Sequence, residues 1–261
     1  MKVIFLILLF FLIFKSRNKE NFNYFKKSKK VLITFAGGGK NYHEAAKRLI
    51  NQGKSTGYFD ETILYTDKDL KNKFVSFWNQ HKNFILNNKR GFGYWIWKSY
   101  LIKRTMESMN DGDILMYLDC GCEIGGKKAS LIPNFFEYVK KDKIIGTETQ
   151  IERVWDKMDL IVHLNMENHE LLKTPQRQGG AVLYYVCKET RKFINLWYNL
   201  CCNYHLIDDS ESVIPNKDYF REHRHDQSIF SLLTKKNNLF SKKSMNDCVY
   251  ISRNKTGKSK I

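Results

Sequence analysis

The chain is 261 residues long, 43% hydrophobic and 14% aromatic, and carries a net charge of +17. Such a content of aliphatic and aromatic side chains excludes a disordered chain, which buries too little apolar surface to offset the entropy of ordering. The length accommodates one large α/β domain. The excess of Lys and Arg points to anionic partners, while the frequent Asn-Lys pairs also mark a compositional bias.

Residues 3–14 form an unbroken apolar run of twelve, shorter than the roughly 20 residues a spanning helix usually needs. No small-residue cleavage pattern follows it; a basic stretch does. Residues 1–15 therefore read as an uncleaved hydrophobic helix and single-pass membrane anchor, and 16–29 as a basic stalk suited to anionic lipid. The side of the membrane stays open, because the positive-inside rule would keep the following domain cytoplasmic whereas a lumenal enzyme needs the opposite. The six cysteines, among them Cys120, Cys122 and Cys187, show no Cys-x-x-Cys spacing, so neither a zinc site nor a disulfide framework is indicated.

In chain order, VLITFAGGG from Val31 predicts a buried strand running into a glycine turn, followed by a helix over 42–52. A second strand is predicted at 62–67, and amphipathic helices at 74–86 and 94–109. Residues 113–119, DILMYLD, are the most hydrophobic strand. Another strand follows at 143–148, then a helix near 153–164 and a strand at 179–187. Helices near 189–204 and 226–236 and a last strand, CVYIS, complete the series. Alternating strands and helices imply crossover units, a mostly parallel sheet, and ligands outside the carboxyl ends of its strands. The domain is set at 30–252, with 253–261 as a basic tail.

The glycine run at 37–39 lacks phosphate-loop spacing and fails the dinucleotide fingerprint at its third position. The stronger signal is Asp119, which ends an apolar strand and so reaches the sheet edge where such folds do chemistry. The triplet is Asp119-Cys120-Gly121, with Glu123 two residues beyond. Asp226-Gln227 opens an apolar helix behind His223, Arg224 and His225.

This order of strand, aromatic helix with a basic residue, and strand ending in Leu-Asp resembles the nucleotide-diphospho-sugar transferase superfamily of GT-A glycosyltransferases. The likeness is greatest to retaining galactosyl- and glucosyltransferases of the lipopolysaccharide and glycogenin type. It implies an α/β, GT-A-like single domain with a mostly parallel central sheet flanked by helices. It places the donor against Thr34, Lys98, Asp119, Gln178, Gly179 and Lys255, with Arg253 beside the last. The segment from Gln178 to Leu183 resembles the strip lining the sugar pocket, and Asp226 and Gln227 are implied as the catalytic pair. In that family an Asp-x-Asp holds Mn2+ or Mg2+. Here the second Asp is missing, so the implied metal falls to Asp119 and Glu123, and no histidine follows His225 to serve as a further ligand.

The implied function is transfer of a hexosyl group from a nucleotide-diphosphate sugar, a UDP-sugar favoured, to a hydroxyl acceptor on a glycan, lipid or protein. The rivals are a sugar-1-phosphate nucleotidyltransferase, a membrane-tethered basic protein binding nucleic acid or anionic lipid without chemistry, and a degenerate nucleotide-sugar binder. Nucleic acid is not the expected partner. Lys157 and Asp159, in WDKMDL, are possible acceptor contacts.

Overall fold

A computed structural model describes residues 27–261; the predicted anchor at 1–15 and most of the stalk lie outside the described residues. Among the described residues no helix is long and apolar enough to cross a membrane. The last stalk residues run along the start of the domain, where Lys29 N donates to Asp113 Oδ1 at 2.9 Å and Ser28 Oγ donates to Gly112 O at 2.6 Å.

Strand β1 (Lys30–Ala36) is buried along almost its whole length because both faces of the sheet are covered, which is why its sequence is a continuous apolar run. Successive side chains point to opposite faces. Val31, Ile33 and Phe35 enter one core with Trp97, Leu115 and Tyr184, while Leu32 enters a second with Met116, Leu118 and Leu183. Helix α1 (Lys40–Ser55) leads to β2 (Glu61–Thr66). Then come α2 (Asp67–Asn72), capped by a reciprocal Thr66 and Asp69 box, and α3 (Val75–Asn87). Helix α4 (Ile96–Glu107) returns the chain to β3 (Ile114–Leu118). Helix α5 (Ile132–Asp142), started by a proline in its first turn, precedes β4 (Ile144–Ile145). Strands β5 (Glu148–Ile151) and β6 (Pro175–Arg177) form a separate antiparallel ribbon around α6 (Met158–His163). Strand β7 (Ala181–Tyr185) and helices α7 (Lys188–Cys201) and α8 (Asp226–Lys236) follow.

The main sheet has the order β2-β1-β3-β7-β4. Strand β1 is parallel to both β2 and β3, whereas β7 is inserted antiparallel between β3 and β4. The expected α/β class with a mostly parallel sheet is met. The reversed β7 departs from a pure crossover series, and it positions the site. An antiparallel neighbour brings its beginning to the other strand's end, so Leu118 pairs with Ala181 and Asp119 N donates to Gly180 O at 2.7 Å.

Three details differ from the sequence reading. CVYIS is not a strand, since only Tyr250 bridges, to Glu123. Residues 143–148 split between β4 and the ribbon. The helix expected from residue 94 begins at Ile96, after a left-handed turn in which Gly91, Phe92, Gly93, Tyr94 and Trp95 have φ between +49° and +84°. L-residues resist this conformation at about 1–2 kcal/mol each. Trp97 Nε1, donating to Gly91 O at 3.0 Å, and the backbone bond from Tyr94 N to Arg90 O at 2.9 Å hold the turn closed. Glycine is required at position 91, where a Cβ would stand 2.3 Å from the Trp95 ring.

Candidate active site

At the carboxyl edge of β1 and β3 lies a cavity of about 460 Å³. Its floor is Asp119 with Gln178 and Gly180 at the entry to β7, and Phe35 and the glycines after β1 form one wall. The left-handed turn contributes Phe92 and Trp95, the start of α8 contributes Asp226 and Gln227, and the C-terminal segment contributes Arg253 and Lys255. Six basic residues line it, Lys89, Arg90, Lys98, Arg224, Arg253 and Lys255, against the two acids Asp119 and Asp226.

Lys98 lies at the centre of this arrangement. Its side chain is 4% exposed, and its Nζ stands 3.5 Å from Asp119 Oδ1 and 3.1 Å from Asp226 Oδ2. Burial opposes the ammonium, but the two carboxylates outweigh it and the pKa is raised above the usual lysine value. Asp226, buried at the start of α8, is pushed up to about 6 by desolvation and the nearby Asp119, against the pull of Lys98. Its Oδ2 accepts no well-aligned hydrogen bond despite the ionic contact. Asp119 is 42% exposed at its side chain and accepts from Tyr117 Oη at 2.6 Å through Oδ1. Gly180 makes room for this carboxylate, because a Cβ there would lie 2.5 Å from Asp119 Oδ2.

Gln227 is held from behind: its Nε2 donates to Gln176 Oε1 at 2.7 Å, and Gln176 Nε2 donates to the buried Asp156 at 3.1 Å. Burial pushes Asp156 well above the carboxylate range, with neighbouring Glu152 adding to the rise. Among the other cations, Arg90 pairs with Asp209 at 3.2 Å and Glu222 at 3.3 Å, and Arg224 stacks over Trp155 at 3.9 Å. Among the described residues Lys89, Arg253 and Lys255 make no ion pair, and Lys255 Nζ stands over the Tyr42 ring at 5.5 Å.

The structure thus brings Lys98, Asp119, Gln178, Asp226, Gln227 and Lys255 to one cavity. Thr34 does not reach it: buried in β1, its Oγ1 donates to Leu118 O at 2.7 Å and fastens β1 to β3. Gly179 lies just behind the wall, with its N 3.4 Å from Gln227 Oε1. Glu123 is turned away from Asp119. The chain reverses at Gly121, and the wholly buried Glu123 carboxylate accepts from Asn254, Ser252, Ser259 and Lys260 N, with Arg48 Nε at 3.8 Å. Burial opposes this ionised group, but those hydrogen bonds prevail and hold its pKa down to about 2. Metal ligation by Glu123 is therefore corrected to a structural role, and among the described residues no three His, Cys, Asp or Glu side chains group to hold an ion.

Neither histidine of the 223–225 segment acts on the cavity as a charged donor. His223 Nε2 donates to Leu206 O at 2.8 Å while its Nδ1 accepts from Lys157 N, and burial lowers its pKa to about 3. His225, lowered by burial to about 4, stacks on Tyr94 and bonds Asp209 at 2.9 Å. Lys157 and Asp159 are likewise engaged in the fold. Lys157 Nζ binds His205 O and Asp208, while Asp159 accepts from Val213 N and Ile214 N.

Residues 253–261, read from the sequence as a tail, are strapped across α1. Arg48 donates to Asn254 O at 3.1 Å, Thr256 O at 2.5 Å, Cys120 O at 3.0 Å and Cys122 O at 2.9 Å. Gly121 permits this contact, since a Cβ would meet Arg253 Cα at 3.1 Å. A second, more open hollow of about 510 Å³ beside Arg48 and Gln52 holds no carboxylate, and the Arg48 guanidinium there is spent on carbonyls.

No protein-family model and no curated protein matches the chain. Several solved structures are similar in layout. Mouse xyloside xylosyltransferase 1 has 11% identity, a TM-score of 0.46, and coverage of 82% of this chain and 84% of that one. The galactosyltransferase LgtC, solved with donor and acceptor sugar analogues, has 15% identity, a TM-score of 0.41, and coverage of 76% and 68%. A glycosyltransferase involved in glycosylating the PBCV-1 major capsid has 10% identity, a TM-score of 0.37, and coverage of 66% of each chain.

Proposed function

We propose that the chain is a GT-A-like glycosyltransferase that binds a nucleotide-diphosphate sugar, a UDP-sugar favoured, and transfers its hexosyl group to a hydroxyl of a glycan, lipid or protein. The observation that carries this reading is the convergence of six cations and two carboxylates in one cavity at the carboxyl edge of the sheet. Cations suit the diphosphate, and carboxylates and amides suit sugar hydroxyls. Lys255 and Arg253, without ion-pair partners among the described residues, face the charge that grows on the leaving diphosphate. Asp119 Oδ2 remains to accept from a donor hydroxyl, since Oδ1 is taken by Tyr117 and Lys98. Asp226 and Gln227 border the reacting carbon.

In the step itself the bond from the anomeric carbon to the phosphate oxygen breaks and one to the acceptor oxygen forms, the acceptor proton passing to the departing phosphate. Asp226, tied to Lys98, is not spent as a base. Catalysis is then positioning and electrostatics. The apolar run at 3–14 would tether the enzyme to a membrane.

Calorimetric titration of the full chain with UDP-sugars, GDP-sugars and an RNA oligonucleotide tests this reading against a basic binder. One donor is expected to bind at a single site, with affinity falling at least about tenfold, roughly 1.4 kcal/mol, in an Arg253→Ala/Lys255→Ala variant. Binding of RNA with no response to any donor would sink the proposal.

A further inference from the structure

We propose that the Lys98 ammonium is the resident cation of this site, at the place where the family resemblance puts a divalent metal, so that the donor diphosphate binds without an added ion. The inference rests on the nucleotide-sugar reading and deepens it. A divalent ion bridging a diphosphate is held by one or two protein carboxylates besides the phosphates, which here could only be Asp119 and Asp226. Here Asp119 Oδ1 and Asp226 Oδ2 already flank Lys98 Nζ at 3.5 and 3.1 Å.

The remaining ligand positions are closed for separate reasons. Position 121 is a glycine, and its missing side chain is what lets the Arg253 backbone approach to 3.1 Å of a Cβ built there. Glu123 is wholly buried and saturated by the C-terminal segment. A dication on the exposed Asp119 would stand beside a buried ammonium, whose repulsion is little screened. The tyrosine and tryptophan rings facing the ammonium, Tyr117 at 5.6 Å and Trp95 at 6.0 Å, favour a fixed monocation. Arg253 and Lys255 then supply further countercharge to the two phosphates from the C-terminal segment.

The test is titration of the full chain with UDP and GDP and their sugars, after exhaustive EDTA treatment and again in millimolar Mn2+, with Mn2+ binding to the nucleotide-free protein followed by electron paramagnetic resonance. The expected result is a dissociation constant for the best donor that differs less than about tenfold between EDTA and Mn2+. No ordered Mn2+ should appear in the free protein. A tightening of about tenfold or more by Mn2+, or a protein-bound Mn2+ signal lost in Asp119→Asn, overturns the inference while leaving the nucleotide-sugar reading intact. Absence of binding in both conditions removes that reading, and this inference with it.

Discussion

Replacing Lys98 by methionine is expected to cost the fold about 3–5 kcal/mol, because it removes the cation of a buried ionic group and leaves the buried Asp226 without its counter-ion. Urea denaturation measures the loss. The decisive companion is Lys98→Met/Asp226→Asn, which removes the stranded charge as well. Most of the lost stability is expected to return, since a neutral amide in place of the carboxylate carries a far smaller desolvation cost. Donor binding is not expected to return, because the cation at the sheet edge is still missing. If the single variant were as stable as the parent, Lys98 would not be the counter-ion the geometry shows. If the double variant bound donor normally, the lysine would serve the fold alone.

The second large effect is expected from Arg48→Leu. This buried guanidinium closes the C-terminal segment onto the sheet edge through four carbonyl oxygens and lies beside the buried Glu123. Its loss leaves the buried Glu123 carboxylate without its counter-ion and several carbonyls unsatisfied, worth about 3–5 kcal/mol together. The segment is expected to detach first, because its side-chain anchors, Asn254, Ser252 and Ser259, all converge on the same Glu123. Limited trypsin digestion followed by mass spectrometry should show early cleavage after Arg253, Lys255 and Lys258, which the parent resists. Donor affinity should fall with it, since Arg253 and Lys255 leave the cavity wall. A segment that stayed protected in the variant would show that Arg48 is not its latch.

The contrast between these two lysine- and arginine-centred groups shows how far a sequence speaks for itself. Strand β3 and Asp119 are legible because an apolar run buried on both faces must stop where a carboxylate appears. The pairing of Asp119 with Gly180 is not, since period-two alternation carries no strand direction, and β7 runs opposite to its neighbours. The resemblance implies Glu123 beside Asp119 as a second metal ligand. The chain instead turns at once after β3, with Cys122 N bonding Asp119 O at 2.8 Å, and this carries Glu123 away from Asp119. Lys98 stood out among tryptophans, but only tertiary packing sets it between carboxylates from β3 and α8. The left-handed entry to α4 is foreshadowed by Gly91 and Gly93, while Phe92, Tyr94 and Trp95 are held there by packing against their intrinsic preference. CVYIS has strand composition without a strand partner, its neighbour being a turn rather than an edge.

Glycosyl transfer itself is tested most directly by nucleoside diphosphate release. The full chain would be incubated with a panel of UDP- and GDP-sugars and simple hydroxyl acceptors, beside an Asp119→Ala variant shown to be folded. The result expected is release from one donor class, in EDTA as well as in Mn2+, that disappears in the variant. Silence across the whole panel, or release that Asp119→Ala leaves unchanged, would contradict the assignment of this cavity as a glycosyltransferase active site.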